Sequence, residues 1–244
     1  MTTYRRALQR QRTLLFDWRA EDHSLTARTG QVGAFTRAST GVLVTQSGTL
    51  TVNSGDPRFS MVDTDGSGGV DTMALRVDKV SGGRNAEVLA FPLEFLLPAN
   101  FTVYVQHAPD WYATAGALAA RAYLFTLGNA VPRLSCYRSA TAGQYGAEID
   151  TASTDVTGVV AAPVTRAQEV AVQFSLLTAG GKAQVDAGAG LGTLTGAATA
   201  ITALGSNTLY LGCFSSTGTE ADSGIVACKI ASGLYTLAQM RVKQ

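Results

Sequence analysis

Glu148 and Asp150, in the run Glu-Ile-Asp-Thr-Ala-Ser, stand two residues apart, so on a β-strand both carboxylates project from one face. Retaining glycoside hydrolysis needs a nucleophile and a general acid about 5 Å apart. Glu148 and Asp150 supply two carboxylates, but Ser153, which follows them in the same run, cannot protonate a leaving group near neutral pH. Asp63, Asp65 and Asp71 surround a glycine-rich turn and offer oxygen ligands to a hard cation such as Ca2+. Against the twelve-residue calcium loop, Ser67 takes the third ligand position and Ala74 replaces the bidentate Glu. Asp and Gly are also what a tight turn demands, so both readings stand. The two imidazoles, His23 and His107, have no Gly-x-Ser-x-Gly elbow to serve, and Gly180-Gly181-Lys182 lacks the first Gly of a phosphate loop. The chain is therefore expected not to be an enzyme.

Recognition is a better match to the residue types than catalysis. Trp111, Tyr112, Tyr137 and Tyr145 lie in or near apparent loops, where aromatic faces stack on pyranose rings. For Tyr137 and Tyr145 a place on a strand face is the competing reading, and for Trp111 a place in the core; Trp18, in Leu-Leu-Phe-Asp-Trp, reads as core. Arg5, Arg6, Arg10 and Arg12 put four cations in a stretch without acids, which suits docking on an acidic surface and equally a solvated terminus. A net charge of +1 argues against nucleic acid or an anionic membrane as a partner recognised by bulk charge. Charged residues make up 15 % of the chain, against about 25 % in an ordinary soluble domain, so the surface is largely Ser, Thr, Ala and Gly.

The elements that must position these residues are strands. Short apolar runs alternate with Gly, Ser, Asn, Asp or Pro, and few stretches are long enough for a helix. Strands are expected at Phe101–His107, Arg121–Leu127, Glu169–Leu177, Asn207–Phe214 and Ser223–Ala231. In the first, Phe101, Val103 and Val105 share one face, and Thr102, Tyr104 and Gln106 share the other. Gly180-Gly181-Lys182 reads as a hairpin turn, and the Gly-, Ala- and Thr-rich span 187–205 as turns with a flat edge strand. Short helices are expected within 4–12 and 234–240, the latter packing Leu237 and Met240 on the sandwich. Cys136, Cys213 and Cys228 match no zinc or redox spacing and read as reduced core residues, with a Cys213–Cys228 bridge as the weaker alternative. No apolar run reaches the length of a membrane span, and the N-terminal arginines lack a following apolar segment, so no signal peptide is expected.

From Phe35 onward the order of short motifs resembles a phage virion family. Phe-Thr-Arg-Ala-Ser-Thr (35–40), Pro-Arg-Phe-Ser-Met (57–61), Leu-Arg-Val-Asp (75–78) and Arg84-Asn85 follow one another as that family's opening strands do. Leu-Tyr-Leu-Gly (209–212) and the stretch 223–240 match its closing strands and helix. The resemblance implies an all-β fold, a concanavalin A-like or laminin-G-like jelly-roll β-sandwich spanning 33–244, behind an Arg-rich docking arm spanning 1–32. It also implies a non-enzymatic structural protein made in the host cytoplasm and carried on the virion. Its partners would be major capsid or tail proteins and further copies of itself, as in a trimer. A glycan-binding adhesion module is the alternative, with host surface glycan as partner. The same jelly roll is similar to that of laminarinase-type hydrolases, and their Glu-x-Asp-x-x-Glu strand implies Glu148 as nucleophile, Asp150 as its helper and Ser153 where the general acid should stand, so the motif is completed only in part.

Overall fold

Alternation of apolar and polar side chains drives this chain into half-buried strands, and two sheets close on their apolar faces. A computed structural model describes residues 14–22, 30–39, 42–51, 59–62, 72–77, 88–93, 95–109, 122–128, 130–139, 144–151, 155–161, 168–176, 182–188, 190–193, 201, 204, 206–212 and 223–242. Its strands are β1 (Leu14–Arg19), β2 (Gly30–Ser39), β3 (Val42–Thr51), β4 (Phe59–Val62), β5 (Thr72–Val77), β6 (Val88–Pro92), β7 (Asn100–Pro109) and β8 (Ala122–Leu127). They continue as β9 (Arg133–Arg138), β10 (Gln144–Asp150), β11 (Asp155–Ala161), β12 (Gln168–Ser175), β13 (Lys182–Asp186), β14 (Leu191–Thr193), β15 (Thr208–Leu211) and β16 (Ser223–Ser232). A 3-10 turn covers Ala20–Asp22, and one short helix, α1, covers Leu237–Arg241.

The first sheet runs β14-β13-β12-β7-β16-β5-β4, with β1 paired to β16 beside β5; the second runs β11-β10-β9-β8-β15-β6-β3-β2. The fold is an all-β jelly-roll sandwich. Phe101, Val103 and Val105 of β7, Val170, Val172 and Phe174 of β12, and Cys228 and Ile230 of β16 face Leu134 and Cys136 of β9 and Ala147 and Ile149 of β10 across the core. Cys136 and Cys228 are free thiols in that core, and burial pushes both well above the usual thiol range. Cys213 lies outside the described residues.

The strands expected from alternation are present as β7, β8, β12, β15 and β16. β12 and β13 are consecutive antiparallel neighbours, Gly180 and Gly181 between them lie outside the described residues, and β14 is the edge strand of the glycine-rich span. The boundary at residue 32 needs correction. β1 pairs with β16 from Leu14 to Arg19 and seats Phe16 and Trp18, 1 % and 0 % exposed, in the core. Burying two such rings contributes several kcal/mol, so 14–22 belongs to the sandwich rather than to a separable arm. β2 likewise starts at Gly30, before that boundary. Arg5, Arg6, Arg10 and Arg12, and the helix expected within 4–12, lie outside the described residues.

Candidate functional site

The outward face of the first sheet carries the polar half of each alternating strand. Register places these residues in rows across β1, β16, β7 and β12. One row reads Asp17, Lys229, Tyr104, Ala171, and the next reads Arg19, Ala227, Gln106, Glu169. Neighbouring strands lie about 4.8 Å apart, so each row spans roughly 14 Å. β16 carries a bulge between Ile225 and Ala227, with Ile225 and Cys228 in the core and Val226 packed outside against Ala74 and Ala108. A bulge re-aims side chains in this way. Two consecutive short residues, Val226 and Ala227, therefore floor the face between longer neighbours. The result is a cleft of about 290 Å3 lined by Arg19, Glu21, Thr72, Tyr104, Gln106, Glu169, Val226, Ala227, Lys229 and Arg241.

One wall is the C-terminal helix. Leu237 and Met240 pack on Tyr104, Ala171 and Ala231, as the sequence leads one to expect. Thr236 and Gln239 form a capping box, and the Leu237 amide donates to Asp186 Oδ2 of β13 at 2.9 Å. Upstream, Thr102 Oγ1 accepts from the Tyr235 amide and donates to the Gly233 carbonyl, while Gln173 Nε2 donates to the Tyr235 carbonyl. Gly233 sits at φ +108°, in the left-handed region that lets the chain turn from β16 towards α1. This strapping sets Arg241 over β12, where its Nε donates to Glu169 Oε2 at 2.6 Å.

Glu169 is occupied on both oxygens, since Tyr104 Oη donates to Oε1 at 2.5 Å. Burial first, and then this hydrogen bond to Glu169, push the Tyr104 phenol far above its usual range, so it stays protonated and donating. Lys229 Nζ stands 5.5 Å from the centroid of the Tyr104 ring. At the opposite wall Arg19 Nη1 donates to Glu21 Oε1 at 3.3 Å, and its Nε lies 3.8 Å from Asp17 Oδ1. Cations and carboxylates thus alternate around a small-residue floor, with Glu169 and Glu21 engaged inside the fold and the remaining guanidinium nitrogens and the Gln106 amide facing the cleft.

The residues singled out from sequence fall elsewhere. Glu148 and Asp150 share the outward face of β10 in the second sheet; Glu148 Oε2 accepts from Tyr123 Oη at 3.4 Å and Asp150 is ion-paired with Arg133. Tyr137 and Tyr145 need correction as sugar platforms, because each is 1 % exposed and neither ring face meets solvent. The Tyr137 ring lies over Gly146, close enough that a Cβ there would overlap it. Tyr145 points into the sandwich, its Oη 2.6 Å from His107 Nε2, with Arg138 Cζ 5.7 Å from its ring centroid. His107, expected as a polar residue at a strand end, is fully buried. Trp111 and Tyr112, Asp63, Asp65 and Asp71, His23 and Ser153 lie outside the described residues. The cleft residues carry no motif, coming from six separate segments. Their one signal is the outward position of Tyr104, Gln106 and Glu169 in alternating strands.

No family model matches the chain, and no curated protein matches it. Among solved structures it is similar to domain 4 of AbnA, a GH43 extracellular arabinanase from Geobacillus stearothermophilus, in complex with arabinotriose. The TM-score is 0.53 at 14 % identity, covering 95 % of this chain and 98 % of that domain. It is also similar to the receptor-binding domain of botulinum neurotoxin D, with TM-score 0.53, 7 % identity, and coverage of 87 % and 52 %. The binding domain of botulinum neurotoxin DC in complex with rat synaptotagmin II gives TM-score 0.54 at 7 % identity, with coverage of 87 % and 51 %. The chain spans about half the length of the two toxin domains. Identities this low establish the β-sandwich fold.

Proposed function

We propose that the chain is a non-catalytic glycan-binding module whose binding surface is the cleft on the outer face of the first sheet. The observation that carries this reading is the cleft's composition: paired cations and carboxylates, the Gln106 amide and the Tyr104 ring around a floor of Val226 and Ala227. Sugar hydroxyls donate and accept at once, and a rigid sheet that presents fixed donors and acceptors binds them with little ordering cost. The extent of the fold likeness to an arabinanase domain solved with arabinotriose supports the same class of ligand. The phenol–carboxylate pair in the cleft, Tyr104 with Glu169, is not poised as nucleophile and base: Glu169 also accepts from Arg241, and burial keeps Tyr104 protonated. A glycan array probed with the full chain checks the reading. The expected result is binding to at least one oligosaccharide class that falls about tenfold or more in Gln106→Ala, whose side chain supports no described contact in the fold. Silence across the array, or binding indifferent to that substitution, contradicts it.

The resemblance to phage virion proteins supports a second, compatible reading in which the module is a particle component that meets host glycans. Its specific observation is that the motif-bearing segments include strands β2, β4 and β5, in the order the resemblance implies. Docking through Arg5, Arg6, Arg10 and Arg12, assembly as a homo-oligomer and a virion location belong to this reading. Mass-spectrometric counting of the chain in purified particles tests it, and absence from particles removes it.

A further inference from the structure

The hydrogen-bonding capacity that the fold leaves unused in this cleft is strongly biased towards donors. Glu169 spends both oxygens inside the fold, on Tyr104 and Arg241. Glu21 is engaged by Arg19 across the far wall. The cations are not used up in the same way. Arg241 donates only through Nε, leaving both terminal nitrogens of a guanidinium whose side chain is 52 % exposed. Arg19 uses Nη1 on Glu21 and turns Nε to Asp17, leaving Nη2. Among the described residues the Gln106 side chain makes no hydrogen bond, so its amide is available between the two arginines in the row that runs from Arg19 to Glu169. Guanidinium forks match the planar geometry of a carboxylate, and their charge-assisted bonds are shorter and stronger than neutral ones.

We propose that the cleft selects a sugar carrying a carboxylate: Arg241 takes the carboxylate through its terminal nitrogens, Arg19 supplies the second cationic contact, and Gln106 bridges ring hydroxyls between them. This rests on the glycan-binding reading and narrows its ligand class. At about 290 Å3 the cleft holds no more than a short stretch of an oligosaccharide, so recognition centres on one acidic residue rather than on a long polyanion.

Calorimetric titration of the full chain with a galacturonate trimer, its methyl-esterified form, a neutral galactose trimer and a sulfated galactose trimer tests this directly. The expected result is tightest binding to the galacturonate, with methyl esterification costing about tenfold or more, the loss of one charge-assisted contact. Arg241→Gln and Arg19→Gln should each remove most of that preference while the far-ultraviolet circular dichroism stays unchanged. Arg241 is half exposed, so its loss does not threaten the fold. Equal binding of acidic and neutral trimers overturns the carboxylate assignment and leaves the glycan reading standing. A sulfated trimer that binds as tightly as the galacturonate also overturns it, as does a preference untouched by both arginine substitutions. If none of the four sugars binds and the broader array is also silent, the glycan reading itself fails.

Discussion

His107 shows how a single buried residue ties the sandwich to pH. It lies on the inner face of β7, fully buried, with Nε2 2.6 Å from Tyr145 Oη. Burial first, and then the positive charge of Arg138, lower its pKa to about 3. In the unfolded chain an imidazole titrates near 6.5. Between about pH 6.5 and pH 3 the unfolded state therefore binds more protons than the folded one, and stability falls as pH falls through that window. Urea midpoints should drop between pH 7 and pH 4.5. His107→Gln, which keeps a hydrogen-bonding group but cannot gain charge, should show a smaller drop; identical pH slopes in the two proteins would rule out His107 as the source. The same alternation that buries His107 also settles Tyr145: Tyr145, Ala147 and Ile149 share the inner face of β10, a pattern visible in the sequence that outweighs nearness to a loop. Tyr137 was legible only in part. Its outward position follows from the inward Leu134 and Cys136, but its collapse onto Gly146 depends on a partner in another strand.

At the scale of elements, the strands that build the site announce themselves and the site does not. Phe-Thr-Val-Tyr-Val-Gln-His alternates cleanly, and both faces of β7 are as read. The bulge at Val226 in β16 has no comparable signature, yet it lays down the cleft floor. β1 was hidden by position: Leu-Leu-Phe-Asp-Trp-Arg follows a basic stretch, and only its pairing with β16 makes it sheet. The helix α1 is too short to stand alone, since isolated helices under about 12 residues are marginal in water. Packing and caps hold it, which makes it a sensitive wall for the cleft. Asp186→Ala removes the acceptor of the Leu237 amide and should cost about 1 kcal/mol. Met240→Ala should cost roughly 2–5 kcal/mol, because its side chain is fully buried. Both should speed amide exchange in residues 237–241 and weaken sugar binding through Arg241. Unchanged exchange there in both variants contradicts the anchoring described for α1.

For the whole molecule, the order of β strands and turns carried the jelly roll in the sequence, whereas the cleft exists only once β1, β7, β12, β16 and α1 meet. Residues 19, 21, 72, 104, 106, 169, 226, 227, 229 and 241 have no spacing that could mark them beforehand. Each alone is an ordinary surface or strand residue, and only register brings them into rows. The central claim is that glycan binds on this outer face, and the most direct measurement is an amide chemical-shift map by NMR as an oligosaccharide positive on the array is titrated in. The account expects shifts concentrated on Arg19, Tyr104, Gln106, Glu169, Ala227, Lys229 and Arg241, including the side-chain amide of Gln106. Shifts confined to the second sheet or to the segment around Trp111, with these residues silent, would place the binding surface elsewhere and contradict it.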